Sequence, residues 1–282
     1  MAEVSQKKRI WGWWFFDWAS QPYHTLLVTF VFGPFFAAVA ADYFLGKGLS
    51  EAAAEAQAQT VWSIGMTDTG LFIVCGSPLL GALADISGRK MPCIMVVPMM
   101  DLIGAWSLWY MDPAGGKLWL MLLSFGFGFI GAEFALIFVN AQLPSLGSKE
   151  EVGAISGSGF AFGYLGGVIA LFIMLLFFVE QSNGKTLIGL DPILGLDPEA
   201  REGTRAVGPL TATWFALFMV PYFLWVHDDN PTGQRGTIRR AARMVIDLVA
   251  GLRHRASLTS YLVSSMLYRD APNGLYAFGG VY

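Results

Sequence analysis

Apolar residues run along this chain in six long blocks, separated by shorter polar connections. The blocks fall near residues 11–40, 61–84, 92–110, 118–140, 154–179 and 207–226, and a seventh opens at about 258, with Tyr282 falling inside it. A helix rises 1.5 Å per residue, so about 20 mostly apolar residues cross the hydrocarbon core of a bilayer. Lipid offers a peptide group no hydrogen-bond partner, so each block predicts a helix whose backbone groups pair internally. The expected fold is an all-α polytopic membrane protein. A six-helix transmembrane bundle occupies 1–226, and a cytoplasmic linker with an amphipathic helix occupies 227–257. Residues 258–282 read as the start of a second bundle, whose remainder is expected in the same polypeptide.

Composition supports this. The chain is 55% hydrophobic and 14% charged, where a soluble domain carries about 25% charged residues. A net charge of −3 gives no support to a nucleic-acid partner. Cys75 and Cys93 form no CxxC pair, and His24, His227 and His254 lie in separate elements. No disulfide scaffold, metal site or cofactor is therefore expected. The short basic amino end leads into an apolar block that carries Asp17, which fits an uncleaved first span better than a signal peptide.

Lys and Arg alternate in density between successive connections. With the amino end in the cytoplasm, twelve fall on that side and five on the other, as the positive-inside rule requires. The expected setting is a bacterial inner membrane, with both the amino end and the 228–257 connection cytoplasmic. Within that connection Ile238, Ala241, Ala242, Val245, Leu248, Val249 and Leu252 recur at helical spacing, and Arg239, Arg240 and Arg243 fall between them. Such a helix lies either on anionic headgroups or against the cytoplasmic face of the bundle.

Ionisable residues inside spans are costly and mark bundle interiors or aqueous paths. Asp17, Asp68, Asp101 and Glu133 are of this kind. Asp17 precedes Pro22, which removes a backbone donor and bends a helix. Asp101 is central in its block and is a candidate to carry a proton. Glu133 and Asn140 are seven apart, hence on one helix face. Asp17, Asp101, Glu133 and Asn140, with Asp270 farther on, are the candidates for a solute pathway or proton coupling. In the fifth block Gly153 and Gly157, then Gly159, Gly163 and Gly167, repeat at intervals of four, which favours close helix packing. The connection after the second block reads Gly81-Ala82-Leu83-Ala84-Asp85-Ile86-Ser87-Gly88-Arg89-Lys90. Gly88 permits a tight turn. Asp85 can pair with Arg89 or a neighbouring helix, so Gly81, Asp85, Gly88, Arg89 and Lys90 form a candidate conformational latch.

Asp270-Ala271-Pro272-Asn273-Gly274-Leu275-Tyr276 loosely echoes Asp17-Trp18-Ala19-Ser20-Gln21-Pro22-Tyr23, as in a transporter built from repeats. The 81–90 segment resembles the cytoplasmic signature of the major facilitator superfamily. More narrowly, Phe16-Asp17-Trp18-Ala19, Asn140-Ala141-Gln142-Leu143-Pro144, the 158–167 glycine-rich stretch and Met266-Leu267-Tyr268-Arg269-Asp270 are similar to the permease family related to fungal vacuolar amino-acid effluxers. The resemblance runs from about residue 8 to 282. It implies the major facilitator fold, with twelve helices in two six-helix bundles alternating around a central cavity. This chain would supply the first bundle and the beginning of helix seven. Ala271-Pro272 departs from the family, which commonly has a glycine soon after the aspartate.

The expected function is secondary transport of a small polar solute by alternating access, with amino acids and proton coupling as analogies drawn from the resemblance. The expected partners are the bilayer, the solute and protons. No GxxxxGK[ST] loop points to ATP. The chain is not expected to be an enzyme, since no nucleophile, base and oxyanion site can be assembled. A structural or sensory membrane protein is the other class, separable by solute flux.

Overall fold

The computed structural model describes residues 4–87, 90–228 and 237–279. Eight helical elements follow one another: α1 Gln6–Gly46, α2 Glu51–Ser87, α3 Met91–Tyr110, α4 Leu118–Asn140, α5 Val152–Phe178, α6 Glu202–Trp225, α7 Ile238–Leu252 and α8 Ala256–Phe278. Among the described residues the first six are long and apolar enough to cross a membrane. Each contains one of the six apolar blocks except at its last residues. In α8 the residues Arg269 and Asp270 interrupt the apolar run.

Prolines explain where the helices depart from regularity. Pro22 has no N–H to give the carbonyl of Trp18. That carbonyl instead accepts a hydrogen bond from Trp214 Nε1 of α6 at 3.0 Å. Immediately after Pro22 the backbone widens into a π-helical stretch, Tyr23–Phe30, which closes with Val31 N donating to Leu26 O at 2.9 Å. Pro98 and Pro221 likewise sit at the first turn of new helical pieces inside α3 and α6.

The bundle is organised around α1. Its first half packs against α5 and α6, and its second half against α2. Helix α4 packs on α3 and α2, and α6 packs on α3. Two buried clusters result, one at each end. Trp13, Phe16, Phe138, Phe215 and Tyr222 fill the end nearer the amino terminus. Phe32, Phe36, Trp62, Phe125 and Val207 fill the other. Contacts between spans come from packing, because lipid tails are as apolar as leucine. The outward faces carry Leu71, Phe72, Val74, Ile103, Leu123 and Phe172, all exposed.

Small residues set how closely the helices approach. A Cβ placed on Gly104 of α3 would lie 2.5 Å from both Cα and N of Gly128 on α4. These two backbones therefore touch. α7 starts with a side-chain cap, Thr237 Oγ1 accepting from Arg240 N at 3.4 Å. It lies against α2, with Ala241 fully buried. α8 lies against the π-helical stretch of α1, where Thr29 Oγ1 donates to Tyr276 O at 3.1 Å.

Candidate functional site

The Tyr23–Phe30 stretch presents His24 to α4. His24 Nε2 stands 3.6 Å from Glu133 Oε1, with the two side chains 33% and 25% exposed. Phe129 packs edge-on against the imidazole at 5.8 Å between ring centroids. Tyr23, beside it, is buried, and its hydroxyl donates to Phe125 O at 2.8 Å. An imidazole and a carboxyl set between two apolar spans and only partly buried offer hydrogen bonds to an ion or polar solute crossing a membrane.

Asp17 lies one stage nearer the amino end on α1, half-buried against α5. A Cβ on Gly163 would sit 3.0 Å from Asp17 Cβ, and one on Gly159 would sit 3.0 Å from Asp17 Oδ2. Gly167 faces Gln21 and Thr25 in the same way. The stripe Gly159, Gly163 and Gly167 thus lets α5 lie directly on the polar face of α1. Gly153 and Gly157 turn elsewhere, and a Cβ on either would meet open space.

The other candidates are spread out. Asp101 is fully buried where α3 meets α4, and neither carboxyl oxygen has a hydrogen-bond partner among the described residues. Asn140 is exposed at the last residue of α4, on the same face as Glu133. Asp68 is exposed on α2, beside Ser63 and Thr67 in a shallow groove. Asp270 is exposed on α8.

The latch candidates form part of a larger network at the amino-terminal end. Lys90 Nζ lies 3.6 Å from Asp85 Oδ1 and donates to Ala141 O of the α4 end at 2.7 Å. Gly81 sits one turn before Asp85 on α2, and Gly88 and Arg89 lie outside the described residues. Next to Lys90, Met91 N donates to Asp228 Oδ2 at 3.0 Å. Gln142 Nε2 donates to Asp228 Oδ1 at 3.2 Å, and the Tyr222 hydroxyl donates to Gln142 Oε1. The ends of α2, α3, α4 and α6 are therefore tied through one set of polar groups. Just beyond, Glu151 Oε2 accepts from Ser148 N at 2.9 Å, and its bonds to Ser148 hold the carboxyl below the usual glutamate range.

At the opposite end Glu180 is buried and well satisfied. It accepts from Arg201 Nε at 2.7 Å, from Thr204 N at 3.0 Å and from Thr204 Oγ1 at 2.5 Å. His24, Gln142, Glu180 and Asp228 were not singled out from the sequence. His24 carried a usable signal, a titratable side chain inside an apolar block seven residues after Asp17. Gln142 and Asp228 meet across 86 residues and Glu180 meets Arg201 and Thr204 across the following connection, and neither pairing is visible in spacing. No group of three His, Cys, Asp or Glu side chains among the described residues is placed to hold a metal ion.

No family model matches the chain. No solved structure matches it either. It is similar to an uncharacterized MFS-type transporter, YxiO, of Bacillus subtilis strain 168, with 25% identity over 270 residues. The match covers 92% of this chain and 56% of that protein, so the chain spans about half the length of the curated relative it matches. The six apolar helices and this likeness support membership of the major facilitator superfamily at its general level, without reaching the narrower group of fungal vacuolar effluxers.

Proposed function

We propose that this chain forms one bundle of a secondary transporter that carries a small polar solute by alternating access. The observation that carries the reading is the His24–Glu133 pair, held between α1 and α4 inside apolar spans with both side chains partly exposed. A free amino acid suits this chemistry. The Glu133 carboxylate would accept from its ammonium group, and protonated His24 would donate to its carboxylate. The same two side chains, with Asp17 and Asp101, are the candidates for moving a proton with the solute. The likeness to an MFS-type transporter supports the class of activity.

The test is flux into liposomes containing the full-length polypeptide, using radiolabelled amino acids with and without an imposed proton gradient. The expected result is saturable uptake, reduced at least about tenfold by Glu133→Gln, which removes a charged hydrogen-bond partner worth about 1.5–3 kcal/mol. Uptake unchanged in Glu133→Gln would reject the pair as the solute site. Saturable uptake of another polar solute, with no response to amino acids, would reject the amino-acid assignment alone.

A further inference from the structure

A groove of 710 Å³ runs down the outside of the bundle between α3 and α6, at the end away from the amino terminus. Trp106 and Trp109 of α3 and Leu210 and Trp214 of α6 form its walls, and Leu194 and Leu196 of the α5–α6 connection line its mouth. On α6 the lining extends from Ala206 to Phe218, about 18 Å of helix. One leaflet of a bilayer core is about 15 Å deep. The groove is thus long enough for one hydrocarbon chain entering from that surface. Neither terminal helix covers it, since α7 lies on α2 and α8 lies on α1 and α5.

The connection holds an apolar side chain at the mouth against ordinary preference. Leu194 is 84% exposed, and its backbone is left-handed at φ 66°, a region a residue with a Cβ rarely adopts. Beside the mouth, Arg205 places its guanidinium over the Trp109 ring at 5.1 Å. Its Nε donates to Trp109 O at 2.8 Å and its Nη1 to Ala200 O at 3.3 Å. Arg201 is paired with Glu180, but no carboxylate among the described residues pairs with Arg205. An uncompensated guanidinium beside an indole, at the rim of a leaflet-deep apolar groove, complements a phosphate that carries an acyl chain.

We propose that this groove is a binding site for one phospholipid of the adjacent leaflet, with an acyl chain between α3 and α6 and the phosphate on Arg205. The site is separate from the solute pathway and does not depend on the transport reading. The test uses delipidated full-length polypeptide titrated with dioleoyl phosphatidylglycerol, or with dioleoylglycerol, which has the same chains and no phosphate, and read by native mass spectrometry. One phosphatidylglycerol should be retained, with dioleoylglycerol about tenfold weaker. Arg205→Gln should remove that difference. Thr213→Trp, at an exposed groove position outside the buried core, should weaken both lipids. If Arg205→Gln does not fold, the phosphate preference of the wild type and the loss in Thr213→Trp still decide the matter. Equal retention in wild type and Thr213→Trp would overturn the site, as would occupation of this face by a second copy of the chain, seen as a dimer that excludes lipid.

Discussion

Glycines in this bundle have opposite consequences depending on what faces them. At Gly104 the obstacle to a side chain is the backbone of Gly128, which cannot rotate away. Gly104→Ala should therefore force α3 and α4 apart and cost about 1–3 kcal/mol. Gly157 faces open space, so Gly157→Ala should be neutral or stabilising, by up to about 1 kcal/mol from the lower flexibility of alanine in a helix. Thermal melting of the detergent-purified protein compares the two directly. A Gly104→Ala variant that melts with wild type would contradict the backbone contact. Glu180 is a residue-scale case of a different kind. Its carboxylate takes three donors at the start of α6, so Glu180→Ala should strand the Thr204 N–H and cost about 2 kcal/mol, with Arg201 contributing little because it is half in solvent.

At the scale of the element, Pro22 and Trp214 act on the same carbonyl. The proline leaves Trp18 O without its intrahelical donor, and the indole of α6 supplies one. Trp214→Phe should orphan that carbonyl and cost about 1 kcal/mol beyond the change in packing. Pro22→Ala restores an N–H to the helix. In the double variant the orphaned carbonyl has a donor again, so the two changes should be less than additive by about 0.5–1 kcal/mol. Strict additivity in a thermodynamic cycle would mean that Trp214 does not compensate for Pro22. This is also where sequence reading reaches its limit. The six spans were legible because an apolar run of 20 residues has few other fates, and Pro22 announced a bend. The proline could not announce the π-helical stretch that follows, nor that Tyr23 at its start reaches Phe125, 102 residues away. Likewise Asp17, Asp101 and Glu133 stood out as carboxyls among apolar neighbours. His24 did not, because its partner Glu133 lies on another span and a lone histidine shows no ligand spacing. Glu180 lies just past the expected end of the fifth span, where nothing in the sequence marks a carboxylate as buried.

For the whole molecule, the distribution of charge sets the expected orientation. The end that gathers Lys90, Asp85, Asp228 and Gln142 also carries the basic α7, while the other end carries the ordered 179–201 connection with its exposed Leu187, Ile188 and Leu194. A membrane-spanning bundle cannot invert once its basic loops are retained, because moving several Lys and Arg through lipid costs a few kcal/mol for each. We expect the first end to be cytoplasmic and the ordered connection to face outward. Single cysteines test this in a Cys75→Ser, Cys93→Ser background. Ser148→Cys sits in the exposed α4–α5 turn, and Asn183→Cys in the α5–α6 connection. In intact cells a membrane-impermeant maleimide should label Asn183→Cys and leave Ser148→Cys unmodified until the membrane is opened. The reverse pattern would turn the bundle over, placing the Lys90 network outside and the proposed lipid groove in the inner leaflet. Labelling of both positions before lysis would place the two ends on the same side and contradict the count of membrane crossings between them.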